Sequence, residues 1–149
     1  MIKKIMIATD GSTPGIQAAE VGIGLARLAC AEVTAVYVVD MARLTQLPGY
    51  ISVRGIKESL LELMDAEGKS ATEEVENMAK EAGVICHKLV AGGVPADELL
   101  RISEEMGADL LVMGSIGKSG LTKFLLGSVA EKVVRHSKVP VLLVPTKEA

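Results

Sequence analysis

Four residues in the second half of the chain, Gly114, Gly117, Gly127 and Ser128, have the types and spacing to hold an anion. They stand in the segment Gly114-Ser-Ile-Gly117-Lys-Ser-Gly-Leu-Thr-Lys-Phe-Leu-Leu-Gly127-Ser128, directly after an apolar run. Glycines at the end of a strand let the backbone approach a bulky anion and permit a positive φ. Gly127 and Ser128 open a predicted helix, whose first N–H groups and positive dipole end attract phosphate. The Ser128 hydroxyl either donates to a phosphate oxygen or caps that helix. Lys118 and Lys123 are either charge-only phosphate contacts or ordinary surface cations.

A nearby decoy fails. Gly117-Lys118-Ser119 resembles the end of the phosphate-binding loop GxxxxGK[ST], but that motif needs glycine at position 112, where Val112 sits inside an apolar run. GxGxxG is absent as well, because Asp10-Gly11-Ser12 follows the first apolar run. Asp10 closes that run where a crevice is expected and is assigned a ligand contact; capping of the next helix by Asp10 or Ser12 is the alternative. Asp40 and Asp97 read as turn and cap residues, His87 as structural or exposed, and His136 as a cation at a helix C-terminus. No Ser-His-Asp or Cys-His arrangement has supporting context, so no catalytic residue is assigned.

The elements that must position these groups alternate along the chain. Lys3 to Thr9 reads as a central parallel strand buried on both faces. A helix follows from Thr13 to Cys30, with Pro14 in its first turn and Ala18, Gly22, Leu25 and Ala29 at helical spacing. Glu32 to Val39, ended by Asp40, is a second strand. Met41 to Gly55 fits no period and reads as a surface loop. Ile56 to Ala82 reads as a long helix with Leu61, Met64, Gly68, Ala71, Val75, Met78 and Ala82 on one stripe and an acidic opposite face. Strands are predicted at Val84 to Ala91, Asp109 to Met113 and Val139 to Val144. Between them lie a helix bearing Leu99, Leu100, Ser103 and Met106 on one side, and a last helix, Ser128 to His136, with Val129, Val133 and Val134 inward. This alternation predicts an α/β fold: a parallel sheet with right-handed crossovers and helices on both faces. Ligands of such sheets bind beyond the carboxyl ends of the strands, where the loops Ala8 to Ser12, Val38 to Met41 and Met113 to Ser128 should meet.

Composition narrows the function. The chain has 149 residues, enough for one domain, and 49% of them are apolar, which opposes disorder. Aromatic residues make up only 2%, and the net charge is −3; both weigh against nucleic acid as a partner. The apolar run after Lys3 and Lys4 ends at Asp10, too short for a leader or a membrane span, so the expected location is the cytoplasm, with no membrane partner. Cys30 and Cys86 are far apart and are expected to be buried free thiols.

The pattern Gly-x2-Gly-x9-Gly-Ser at Gly114, Gly117, Gly127 and Ser128 resembles the nucleotide signature of the universal stress protein family. ATDGS at Ala8 to Ser12, YVVD at Tyr37 to Asp40, GVPADEL at Gly93 to Leu99 and GSVAEKVVRHSKVPVLLVP at Gly127 to Pro145 extend the resemblance over nearly the whole chain. It implies one domain over residues 1–149, with a five-stranded Rossmann-like sheet of order 3-2-1-4-5 of the adenine nucleotide alpha hydrolase-like kind. It implies ATP, with AMP as the alternative, and any Mg²⁺ held mainly by the phosphates rather than by a protein metal site. Carried over by position, Asp10 and the backbone near Val38 contact adenosine, and Ala8 and Thr9 line that pocket. Met113 and Gly114 lie beside the ribose, and Gly117, Gly127, Ser128 and Val129 hold the phosphates. The resemblance also implies a homodimer through the C-terminal strand Val139 to Val144.

The expected function is therefore an ATP-binding stress-response regulator whose nucleotide sets dimer shape or the binding of a protein partner. A slow ATPase or phosphotransfer switch at the same site is the alternative, and a different small molecule in the crevice is a third reading. No general base or arginine finger is evident beside the glycine segment, which weighs against fast turnover.

Overall fold

The computed structural model describes residues 1–45, 55–116 and 126–146. Five strands, β1 (Lys4–Ala8), β2 (Glu32–Asp40), β3 (Cys86–Gly93), β4 (Leu110–Gly114) and β5 (Val141–Val144), form one sheet in the order β3-β2-β1-β4-β5. All the pairings are parallel. At the centre, Ile5 is in register with Val33 on one side and Leu110 on the other. Ile5, Met6 and Ile7 are fully buried, as expected of a strand covered on both faces; each such side chain contributes roughly 1.5–3 kcal/mol by leaving water. The chain runs outward from β1 through β2 to β3, then returns to the other side of β1 for β4 and β5. The loops after β1 and β4 thus diverge, which opens a crevice at the carboxyl ends.

Helices α1 (Thr13–Ala29) and α3 (Ile56–Glu81) cover one face, and α4 (Pro95–Glu105) and α5 (Ser128–His136) cover the other. Ser12 caps α1, accepting the Gly15 N–H at 3.3 Å, and Pro14 fits the first turn because no intrahelical donor is needed there. The buried stripe of α1 is Gly15, Ala18, Ala19, Gly22, Ile23 and Ala26. Leu25 is only half-buried and Ala29 is exposed, so the helix is rotated relative to the expected stripe. The cause is at Gly22: a Cβ there would lie 2.8 Å from Ile7 Cδ1, so α1 rests its backbone directly on β1.

Other expectations need correcting. Cys30 is exposed rather than buried, because it leaves α1 in the left-handed conformation (φ 55°) and its N–H closes the last turn. Cys86 is half-buried in the edge strand β3; burial pushes its thiol pKa up. The first part of the expected loop Met41 to Gly55 is a short helix, α2 (Met41–Thr45), started by Asp40 Oδ1 accepting the Ala42 N–H at 3.1 Å. One turn of helix shows no period in a sequence. Residues 46–54 of that loop lie outside the described residues. Val134 is 46% exposed, since it stands about 100° round α5 from the buried Val133. Strand β5 begins only at Val141, after Pro140, whose carbonyl accepts the Leu111 N–H at 2.9 Å. None of the described helices is long and apolar enough to cross a membrane.

Candidate functional site

A cavity of about 500 Å³ lies at the carboxyl ends of β1, β2 and β4, within the size range of small-molecule sites. Its centre is the turn after β1. The Thr9 N–H completes the ladder by donating to Val36 O at 2.9 Å, and Thr9 Oγ1 accepts the Gly11 N–H at 3.2 Å. Gly11 takes φ +77°, a conformation that favours glycine. Asp10 Oδ1 accepts the Ser12 N–H at 3.0 Å and also the Ser12 hydroxyl. Ser12 is therefore the cap of α1, and Asp10 orients that cap while its own side chain lines the cavity.

The second wall comes from β4 and α5. A Cβ on Gly114 would lie 3.2 Å from the carbonyl oxygens of Ile116 and Pro14, so a side chain here would have to push the chain's own backbone aside by a few tenths of an ångström. Gly127 is tied back by its N–H to Ser115 O at 2.8 Å and forms the N-cap of α5. Its φ of −61° is open to any residue, and neither it nor Gly114 has a positive φ. Gly127 provides no side-chain acceptor, so among the described residues no side chain caps the first-turn donors of α5, which lie at the cavity.

Nine sequence-predicted residues line this one cavity: Ala8, Thr9 and Asp10 after β1, Val38 on β2, Met113 and Gly114 on β4, and Gly127, Ser128 and Val129 at α5. Gly117, with Lys118 and Lys123, lies outside the described residues. Sequence reasoning missed a third wall made by Arg43 and Leu44 of α2 and by Leu60, Met64 and Glu67 of α3. Met64 carried a signal in its place on the α3 stripe; the others carried none. Gly15, Pro95, Leu99 and Ile116 were also missed.

The charged residues among the described lining are Asp10, Asp40, Glu67 and Arg43, with Arg43 Nε 3.9 Å from Asp40 Oδ2 at the rim. Among the described residues no group of three or more His, Cys, Asp or Glu is placed to hold a metal ion. Of the polar residues read as structural in the sequence, Asp40 starts α2 and lines the cavity, whereas Asp97 and His87 stay away from the lining, as does Arg135 on α5. Asp97 pairs with Lys132 at 2.7 Å, Arg135 pairs with Glu131 at 2.9 Å, and His87 is exposed on β3 beside Glu32 at 3.5 Å. The cavity thus joins an apolar slot between strand ends, a carboxylate beside it, and a helix N-terminus whose N-cap is a glycine.

A family model described as the universal stress protein family matches residues 1–145. The chain belongs to the universal stress protein family. It is 45% identical to universal stress protein MJ0531 of Methanocaldococcus jannaschii, over 99% of this chain and 86% of that one. With universal stress protein YxiE of Bacillus subtilis the identity is 35%, over 97% and 99% of the two chains. The solved structure of the M. jannaschii universal stress protein MJ0577 has a TM-score of 0.86 at 31% identity, covering 100% of this chain and 99% of that one. A universal stress protein solved in complex with cAMP has a TM-score of 0.73 at 26% identity and covers 98% of each chain. Both solved structures share the overall fold of this chain.

Proposed function

We propose that residues 1–149 are a single nucleotide-binding domain that binds ATP and acts as a stress-response regulator. Adenosine lies against Ala8, Thr9, Asp10 and Val38, with Met113 and Gly114 beside the ribose. The phosphates lie on Gly117, Gly127, Ser128 and Val129. The observation that carries the reading is the meeting, in one cavity, of the Asp10 turn with the N-terminus of α5, whose N-cap Gly127 supplies no side chain. The cAMP complex of a relative 26% identical to this chain supports an adenine nucleotide there. ATP supplies a charge that the α5 dipole stabilises, and its phosphates carry the Mg²⁺.

Nucleotide occupancy is read out by a homodimer joined through the β5 edge, in the cytoplasm. An unpaired edge strand offers its backbone to a second copy. Contacts equally good in the ground and transition states give affinity without rate, so the site binds rather than turns over. The test is calorimetric titration with ATP and AMP, each with Mg²⁺, together with light scattering of the free and loaded protein. Micromolar or tighter ATP binding to a dimer supports the reading. No binding of either nucleotide refutes it.

A further inference from the structure

The cavity is wider than the crevice that led to it. Strands alternate their side chains, and the lining comes from both faces of the sheet. Val36 and Val38 face α4 and α5, together with Ala8, Leu99 and Met113. Tyr37 faces α3, in a separate cluster with Val39, Ala71 and Met64. Tyr37 and Met64 of the second group line the same cavity as the first, which therefore reaches over the end of β2 into a lobe between β2, α2 and α3. Among the described residues the lobe is bounded by Tyr37, Leu44, Leu60 and Met64, with Arg43, Glu67 and the Arg43 partner Asp40 as its charged residues. Tyr37 and Leu44 are buried, whereas Leu60 and Met64 are half-buried.

Sheet order gives the cavity a direction. The N-terminus of α5 and Gly114 stand at β4, Asp10 at β1 and Val38 at β2, and the lobe lies beyond β2. A nucleotide with its phosphates at α5 and its ribose by Asp10 directs its base toward the lobe. The base edge opposite the glycosidic nitrogen, which carries the exocyclic amine of adenine, then faces Leu44, Leu60 and Met64. That amine needs at most a hydrogen-bond acceptor, yet among the described residues it meets three apolar side chains, Leu44, Leu60 and Met64, beside the charged Asp40, Arg43 and Glu67. Apolar walls of this kind reward an apolar group.

From this continuity we infer that the lobe is a side pocket for the base end of the ligand and accepts an adenine nucleotide bearing an apolar group on its exocyclic N6. The inference rests on the proposed nucleotide reading and deepens it. Methionine and leucine suit the task, since an unbranched thioether adapts to rings of different shape.

The test compares ATP with N6-benzyl-ATP by calorimetry on the full chain. Wild-type protein should bind N6-benzyl-ATP about tenfold tighter than ATP, in keeping with burial of one ring. Met64→Trp and, independently, Leu60→Trp fill the lobe and should bring the ratio of the two affinities to one or below, with circular dichroism checking the fold of each. A wild-type ratio of one or less while ATP binds overturns the side pocket and leaves the nucleotide reading standing. A tenfold ratio unchanged in both folded variants also overturns it. Absence of ATP binding to the wild type overturns the nucleotide reading and the side pocket with it.

Discussion

The Cβ atom that Gly15 lacks would lie 3.0 Å from Asp10 Oδ1 and 3.2 Å from Thr9 Oγ1. Both contacts are tighter than side chains normally accept, and both oxygens belong to the turn at the centre of the cavity. Gly15 sits in the first turn of α1, where its N–H also bonds the capping Ser12. The absence of a side chain at Gly15 therefore leaves room for the Asp10 carboxylate where Ser12 holds it.

Gly15→Ala separates position from stability. At an unhindered helical site, alanine in place of glycine stabilises by roughly 1 kcal/mol. Here the methyl displaces Asp10 instead. ATP affinity should fall by about tenfold, equal to roughly 1.4 kcal/mol, while the thermal midpoint stays within a few degrees of wild type. Unchanged affinity in calorimetry would show that the Asp10 geometry does not matter to the ligand.

Gly127→Val tests the other end of the cavity. The φ of −61° and ψ of 150° at Gly127 are accessible to valine, so the fold has no backbone reason to fail. Gly127 is nevertheless buried and lines the cavity at the first turn of α5. ATP binding should be lost with the circular dichroism spectrum retained. Wild-type affinity in a folded Gly127→Val protein would remove α5 from the site.

Much of this arrangement was legible in the sequence. The strands announced themselves through β-branched runs such as Glu32 to Val39, and the strand ends at Asp10 and Gly114 located the crevice. The α2/α3 wall did not announce itself. Which residues of α3 face the cavity depends on how that helix lies across the sheet, and this is set at Gly68. A Cβ there would meet Tyr37 Cδ1 at 2.8 Å and Val90 Cγ1 at 2.9 Å, so α3 descends onto the Tyr37 ring. Leu60 and Met64 then overhang the end of β2. A periodicity of 3.6 residues gives the stripe on a helix but not its rotation against a neighbour. Cys30 escaped for a similar reason: its exposure follows from the left-handed turn that ends α1, and apolar neighbours in sequence conceal it.

Acid should loosen the start of β1. Asp109 Oδ2 accepts the N–H groups of Lys3 at 2.9 Å and Lys4 at 3.0 Å, and these bonds hold its carboxyl below the usual carboxylate range. A carboxyl with a folded pKa below its unfolded value near about 3.9 stabilises the fold above that value, and the gain fades as pH falls through the folded pKa. Asp109→Asn should therefore lower the thermal midpoint at pH 7, and its deficit against wild type should shrink toward pH 2. A deficit that stays constant over that range would mean that the Asp109 charge contributes nothing.

Turnover should be slow. Phosphoryl transfer needs a positioned nucleophile and stabilisation of developing charge. Among the described lining residues the one guanidinium is that of Arg43, across the cavity from α5 and beside Asp40. Single-turnover assays with labelled ATP and Mg²⁺ should give rates below roughly one per minute, far under ordinary enzyme rates. Turnover near one per second, abolished by Ser128→Ala with Asp10→Ala, would make the protein an ATPase.

An adenine nucleotide is expected in the crevice between the Asp10 turn and the N-terminus of α5. Backbone amide shifts of isotope-labelled protein titrated with ATP and Mg²⁺ test it most directly. The largest shifts should fall on Asp10, Val38, Gly114, Ser128 and Val129, and they should saturate together at one nucleotide per chain. Shifts confined to other surfaces, or none at millimolar ATP, would contradict it.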